Sequence, residues 1–167
     1  MENQEYPFSS FNFLVSLTIK DAPPGLGLAN PLCNAEFAEC DGLEMTMEPK
    51  VVKEGGNNTQ VIHLVGPVNY GNLTLKRGMT SNLDLWKWFN AAAGNWRANH
   101  PVQRGLLAGA EIILRDAAGF DRLRYALYDC LPIKLKAAPM NAKDGIIAVE
   151  EFQLAYSYFT VEFVKAG

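Results

Sequence analysis

The stretch Asn72-Leu73-Thr74-Leu75-Lys76-Arg77-Gly78, followed two residues later by Ser81-Asn82-Leu83-Asp84-Leu85-Trp86-Lys87-Trp88-Phe89-Asn90-Ala91-Ala92-Ala93-Gly94, holds both periodicities that decide this fold. In the first part Leu73 and Leu75 alternate with Thr74 and Lys76, the period-two pattern of a half-buried strand. In the second, Leu85, Trp88, Phe89 and Ala92 recur on one face of a helix. Ser81 can accept from the free N–H groups of the first turn, Asp84 suits the positive helix end, and Gly94 is a fitting stop. The spacing predicts a helix over residues 81–93.

Outward from this junction only period two is found. Phe11, Phe13, Val15, Leu17 and Ile19 share one face upstream, and Leu43, Met45 and Met47 alternate with Glu44, Thr46 and Glu48. Residues 61–65 continue the pattern. Downstream, residues 111–115 and 121–129 read as a hairpin joined by Asp116-Ala117-Ala118-Gly119, with Asp and Gly where type I turns prefer them. There Leu123, Tyr125 and Leu127 oppose Arg122 and Arg124. In the last strand region, 146–164, Phe152, Leu154, Tyr156 and Tyr158 hold the even phase, whereas Phe159, Val161 and Phe163 hold the odd one. Side chains alternate strictly along a strand, so this switch predicts a bulge, bend or break near residues 157–160. Residues 21–34, 95–109 and 136–145 read as loops. The expected fold is mainly β: a small antiparallel barrel or sandwich with one flanking helix, a single domain over residues 1–167 with a loop insertion at 21–34.

The bulk numbers bound the function. A length of 167 residues with 49% hydrophobic and 20% charged residues supports one ordinary core without disulfides or metals. A net charge of −3 argues against a chain built to grip phosphates. The three cysteines, Cys33, Cys40 and Cys130, do not form a secreted disulfide framework, and Met1-Glu2-Asn3-Gln4-Glu5 is not a signal-peptide start. The expected site of synthesis is a bacterial cytoplasm, and the two glycosylation sequons at Asn57 and Asn72 are read as chance matches.

No catalytic machinery is visible. Gly25-Leu26-Gly27 lacks the third glycine of a dinucleotide loop, with Asn30 in that place and Pro31 after it. Residues 53–58 lack the Gly-Lys-Ser/Thr ending of a phosphate loop, and Gly55 and Gly56 instead suit a hairpin tip. His63 and His100 stand alone, and Cys33 and Cys40 lack metal-ligand spacing. Glu150 and Glu151 are adjacent on a strand and point to opposite faces. Trp86, Trp88 and Trp96 come without the basic residues of a nucleic-acid platform. The expectation is no enzyme activity, no cofactor and no metal.

Segment order carries a resemblance. Tyr6-Pro7-Phe8-Ser9-Ser10-Phe11-Asn12-Phe13-Leu14-Val15, Phe37-Ala38-Glu39-Cys40-Asp41-Gly42-Leu43, Glu54-Gly55-Gly56-Asn57-Asn58 and Tyr70 to Gly78 follow one another. Leu85-Trp86-Lys87-Trp88-Phe89, Asp129-Cys130-Leu131-Pro132-Ile133-Lys134 and Val149-Glu150-Glu151-Phe152-Gln153-Leu154-Ala155 complete the series. It resembles the tail tube family of contractile phages and extracellular contractile injection systems. That resemblance implies a barrel with a flanking helix and hexameric rings stacked around a lumen. It also implies a surrounding sheath, a spike hub or baseplate at one end, and cargo inside. A tube-initiator ring on the hub is the alternative, and an enzyme or ligand-binding barrel a more distant one. Val65 before Gly66, Tyr156-Ser157-Tyr158 and the long 21–34 segment depart from the family pattern. Within this reading Glu44, Thr46 and Glu48, or Arg122 and Arg124, are expected to face the lumen while their apolar neighbours fill the core. Gly55, Gly56, Asn57, Asn58 and Trp86 are expected to meet neighbouring subunits.

Overall fold

The computed structural model describes residues 12–20, 27–53, 55–56, 60–94, 106–143, 145 and 147–164. In chain order the elements are β1 (Phe13–Ile19), β2 (Cys33–Glu36), β3 (Glu39–Asp41), β4 (Met45–Met47), β5 (Lys50–Val52), β6 (Ile62–Leu64), β7 (Val68–Tyr70) and β8 (Leu73–Gly78). Then follow α1 (Asp84–Ala93), β9 (Ala108–Arg115), β10 (Asp121–Lys136), β11 (Val149–Ala155) and β12 (Tyr158–Phe163).

The main sheet runs β2-β1-β9-β10-β11-β8-β3, all antiparallel, with β12 also on β10. Its two end strands are consecutive in the chain. Residues 33–36 pair with β1, and residues 39–41 pair with β8, with the Ala38 amide donating to the Lys76 carbonyl (2.7 Å) between them. One segment therefore joins both ends of the sheet and closes it into a barrel, with β12, paired to β10 alone, left as an edge strand. β10 makes this possible by its length of 16 residues and by bending. Its pairing with β9 shifts between Leu127 and Cys130, its pairing with β11 shifts between Pro132 and Lys134, and Asp129 adopts a φ of 54°. Such irregularities turn the corner of a barrel.

The inward positions follow the sequence periodicity: Val15, Leu17 and Ile19 from β1, Leu73 and Leu75 from β8, Ala110 and Ile112 from β9, and Phe152 and Leu154 from β11. The helix closes this core with Leu85 and Trp88, both buried. The Trp88 indole N–H donates to the Leu106 carbonyl (3.0 Å) and its ring lies 5.8 Å from Phe152. Satisfying the indole donor is what lets so large a ring be buried without penalty.

Several expectations are corrected. The helix begins at Asp84 with Leu83, not Ser81, in the cap position and no side-chain cap bond from it; one residue earlier, Asn82 Oδ1 accepts from the Asp84 amide (2.8 Å). Phe89 is only half-buried. Cys33 and Asn34 belong to β2 and not to the 21–34 loop, because the chain must return to pair with β1. β9 starts at Ala108 and β10 continues to Lys136, so the flanking loops are shorter than the sequence suggested. The last region does break, at Tyr156–Ser157. Before the break β11 lies between β10 and β8; after it, β12 pairs β10 alone. The apolar phase switches where β8 drops away and β10 remains as the partner.

The largest correction concerns Met45 and Met47, which do not fill the core: they are 63% and 49% exposed. They stand on a ribbon that leaves the barrel. β4 pairs β7 and, further out, β5 pairs β6, so residues 45–70 form one long two-stranded arm. It narrows at Gly66, where a Cβ would come within 1.6 Å of the Glu48 carbonyl oxygen, so only glycine fits.

Candidate functional site

Two surfaces stand out, the arm and one face of the barrel. The arm carries exposed apolar side chains along its whole described length, and among the described residues none covers them. On its inner half Met45, Met47, Val68 and Tyr70 share a face opposite Thr46 and Asn69. On its outer half Val52, Ile62 and Leu64 share one face, while Val51 and His63 take the other. Met45, Met47, Val51, Val52, Val61, Ile62, Leu64, Val65 and Val68 are all exposed. Two-stranded ribbons are marginal in water alone, and contiguous apolar surface of this kind marks an interaction site.

The second surface is the outward face of β3-β8-β11-β10. Cross-strand register places Asp41, Thr74, Gln153 and Lys134 in one row and Glu39, Lys76, Glu151 and Lys136 in the next. Glu39, Asp41 and Glu151 balance Lys76, Lys134 and Lys136, leaving the face neutral. Lys76 Nζ meets Glu39 Oε2 at 2.6 Å, Lys134 Nζ meets Glu151 Oε1 at 2.8 Å, and Gln153 Nε2 donates to the same oxygen at 3.1 Å. The hydrogen bond from Lys134 holds the Glu151 carboxyl below its usual range, and the one to Glu39 raises Lys76.

Between the two faces of this sheet lies a pair that the sequence reading missed. Arg77 and Glu150 are cross-strand partners, both buried, and the Arg77 Nε donates to Glu150. The remaining guanidinium nitrogens reach the Asn82 carbonyl (3.3 Å) and Cys33 Sγ (3.8 Å), and the group lies over the Phe37 ring at 5.8 Å. One cation thus ties β8, β11, β2 and the helix entry together. The signal was present: Arg77 occupies the apolar phase of Leu73 and Leu75, and Glu150 that of Phe152 and Leu154. An opposite-charge pair in facing apolar phases is a buried pair.

The other expected residues are scattered. Glu44, Thr46 and Glu48 lie exposed at the arm root and along its inner half. Arg122 and Arg124 belong to the first half of β10, which pairs β9 and β12. Arg122 Nε donates to Asp116 Oδ2 (2.8 Å) beside the β9–β10 turn, and Arg124 has its Nε buried without a partner. Gly55 and Gly56 are exposed at the arm tip, Gly56 with a φ of 97°; Asn57 and Asn58 lie outside the described residues, as do Trp96 and His100. Trp86 is half-buried on the helix, off the side that Leu85 and Trp88 bury. Glu150 and Glu151 do point apart, one into the barrel and one onto the charged face. Among the described residues no group of three His, Cys, Asp or Glu side chains could hold a metal, and no helix is long and apolar enough to cross a membrane.

A closed barrel with a packed centre, a plugging helix and an uncovered arm defines a structural building block of a larger assembly. The chain matches the T4-like virus tail tube protein gp19 family over residues 9–160 and belongs to it; it is a tube subunit. Among solved structures it is similar to a chain of the anti-feeding prophage (AFP) baseplate, 6-fold symmetrised, at 22% identity and a TM-score of 0.77, covering 98% of this chain and 100% of that one. A chain of the PVC extracellular contractile injection system sheath–tube complex in its extended state is 20% identical, with a TM-score of 0.73 and coverage of 96% and 95%. Hcp1 from Salmonella typhimurium is 16% identical, with a TM-score of 0.51 over 91% and 87% of the two chains. Comparison with curated protein sequences yields no match.

Proposed function

We propose that the chain forms six-membered rings that stack into the inner tube of a contractile injection particle or phage tail, with sheath subunits outside, a spike hub or baseplate at one end, and cargo in the lumen. The observation that carries this reading is the arm, an uncovered apolar ribbon rooted in a well-packed barrel. Its natural cover is another copy of the same chain, since repeating one such contact generates a ring or a stack. The likeness to chains of a 6-fold baseplate and of a sheath–tube complex supports the symmetry and the sheath.

Within this reading the neutral ladder of β3-β8-β11-β10 lines the lumen and is continued by Glu44, Thr46 and Glu48 at the arm root. A wall whose charges cancel within each neighbourhood does not trap a passing polymer in one strong field. Arg122 and Arg124, in the half of β10 that pairs β9 and β12 and not β11, fall outside it. Gly55 and Gly56 at the arm tip, Asn57 and Asn58 next in the sequence, and Trp86 on the helix meet neighbouring subunits.

Electron microscopy of the purified chain tests the proposal. Wild type is expected to give rings and tubes. Replacing residues 55–58 with a short Asn-Gly turn should leave folded subunits whose rings stack poorly. A wild type that stays monomeric at every concentration would sink the tube reading, and a variant forming normal long tubes would remove the tip from the interface.

A further inference from the structure

The arm is joined to the barrel at only two places, the outgoing residues 42–44 and the returning residues 70–72. Both are built to bend. Gly42 has a φ of 104° and a Cβ there would lie 1.9 Å from the Asn72 carbonyl oxygen; Gly71 stands beside it, 3.2 Å from the Gly42 carbonyl by the same measure. Across the root the backbone supplies a Gly71 amide bond to the Glu44 carbonyl (3.0 Å) and a Glu44 amide bond to the Gly42 carbonyl (3.0 Å). Neither reaches the rest of the barrel.

Leu43 and Tyr70 pack against the core, and one side chain of the core hydrogen-bonds to the root. Tyr156 sits at the break between β11 and β12, buried, and its hydroxyl donates to the Gly42 carbonyl at 2.8 Å, with the Glu44 carbonyl at 3.4 Å. The Glu44 amide in turn points at the same oxygen from 3.4 Å. Its ring meets Tyr70, the last residue of β7, edge-on at 5.9 Å, and Phe159 of β12 at 5.9 Å; Tyr70 and Phe159 close the triangle at 5.8 Å. Tyr125 backs Phe159 from 6.4 Å. The hydroxyl therefore grips the outgoing strand and the ring grips the returning one, both from the fixed core.

We infer that Tyr156 is the positioning residue that sets the angle at which the arm leaves the barrel, its hydroxyl acting as the latch and its ring as the seat. Leverage makes this matter. From Met45 to the tip the ribbon runs about nine residues, roughly 30 Å at strand rise, so a swing of about 10° at the root carries the tip ~5 Å. That displacement exceeds what a packed interface tolerates. The consequence for assembly rests on the tube reading; the control of arm angle does not.

The test is Tyr156→Phe, which keeps the ring and removes only the latch. Spin labels at Val52→Cys on the arm and Glu162→Cys on β12, diluted with unlabelled chain so that only distances within one subunit are read, report the arm angle. In wild type one narrow distance is expected. In the variant, swung conformers should rise roughly fivefold, the change that one lost hydrogen bond produces, with little shift of the melting temperature. An unchanged distance distribution would overturn the inference, even if the variant melts earlier, because the hydroxyl would then serve stability alone. The distance result stands whether or not the chain assembles. Where wild-type tubes form, Tyr156→Phe should raise the concentration needed to form them, and assembly at the wild-type concentration alongside a broadened distribution would confine the latch to the free subunit.

Discussion

The barrel and the arm are made from the same kinds of residues and have opposite fates. In the barrel Val15, Leu17, Leu73, Leu75, Phe152 and Leu154 are buried to within 1% of complete exclusion. In the arm Met45, Met47, Val52, Ile62, Leu64 and Val68 alternate or cluster in the same way and stay in water. The difference is not composition. Barrel strands belong to one continuous eight-stranded sheet with a helix over its core, whereas the arm pairs only with itself. An alternating pattern declares that one face wants cover; it does not say whose. Substitutions in the two regions should accordingly separate stability from assembly.

The largest effects belong to the barrel. Trp88→Ala removes a fully buried ring that closes the core and leaves the Leu106 carbonyl without its donor, a loss of about 3–5 kcal/mol. Arg77→Met strands the Glu150 carboxylate inside the barrel and is expected to cost a similar ~3–5 kcal/mol, while the double substitution with Glu150→Leu should recover most of it. Denaturant melts of the three variants check this. A double variant as unstable as Arg77→Met would mean that the guanidinium contacts to Asn82 and Phe37 matter more than the charge pairing.

That pair also measures how far the sequence could be read. Periodicity located β1, β8, the helix and the break after β11, because burial on one face leaves a repeat in the letters. It placed Met45 and Met47 in the core because periodicity cannot distinguish a face covered by the chain from one the chain leaves exposed. It missed Arg77 and Glu150 because charged letters in an apolar phase were read one strand at a time, and the pair exists only across β8 and β11. Tyr156 was legible as an apolar-phase residue, but not as a latch, since its partners Gly42 and Glu44 lie more than a hundred residues away.

Trp86 lies between the two regions. It is half-buried, on the helix but off the side facing Phe152, so Trp86→Ala should cost about 1 kcal/mol, well short of the Trp88 change. Its expected effect is on ring formation, read by analytical ultracentrifugation. Equal loss of stability at Trp86 and Trp88 would show that the helix serves the barrel on both sides and contributes nothing to assembly.

On the arm the expectation reverses. Val52→Ser with Ile62→Ser replaces two facing exposed residues, and the isolated subunit should melt within about 0.5 kcal/mol of wild type. Assembly should be lost or need far higher concentration. A double variant that melts much earlier as a monomer would show that the arm folds back on its own barrel in solution, and the division between the two regions would fail.

The finest contrast is in thiol chemistry. Burial pushes the Cys40 and Cys130 thiols up to about 12 from an ordinary 9.0, and it raises Cys33 as well, against the opposing pull of Arg77. Only thiolate reacts with alkylating reagents, so at pH 8 the reactive fraction of the two barrel thiols is lower by roughly a thousandfold than that of an unperturbed thiol. A cysteine at Val52 on the arm should react at an ordinary rate in the free subunit and slow when rings or tubes form. The same shifts fix a sign for stability. Because the folded state keeps these thiols protonated where the unfolded chain would ionise them, stability is unaffected below the ordinary thiol value and falls as pH rises through it. Melts between pH 8 and 10 should therefore show a decline that Cys130→Ser reduces. Fast alkylation of native Cys130 at pH 8 would mean that the barrel opens locally, and that the firmness separating it from the arm is smaller than its packing implies.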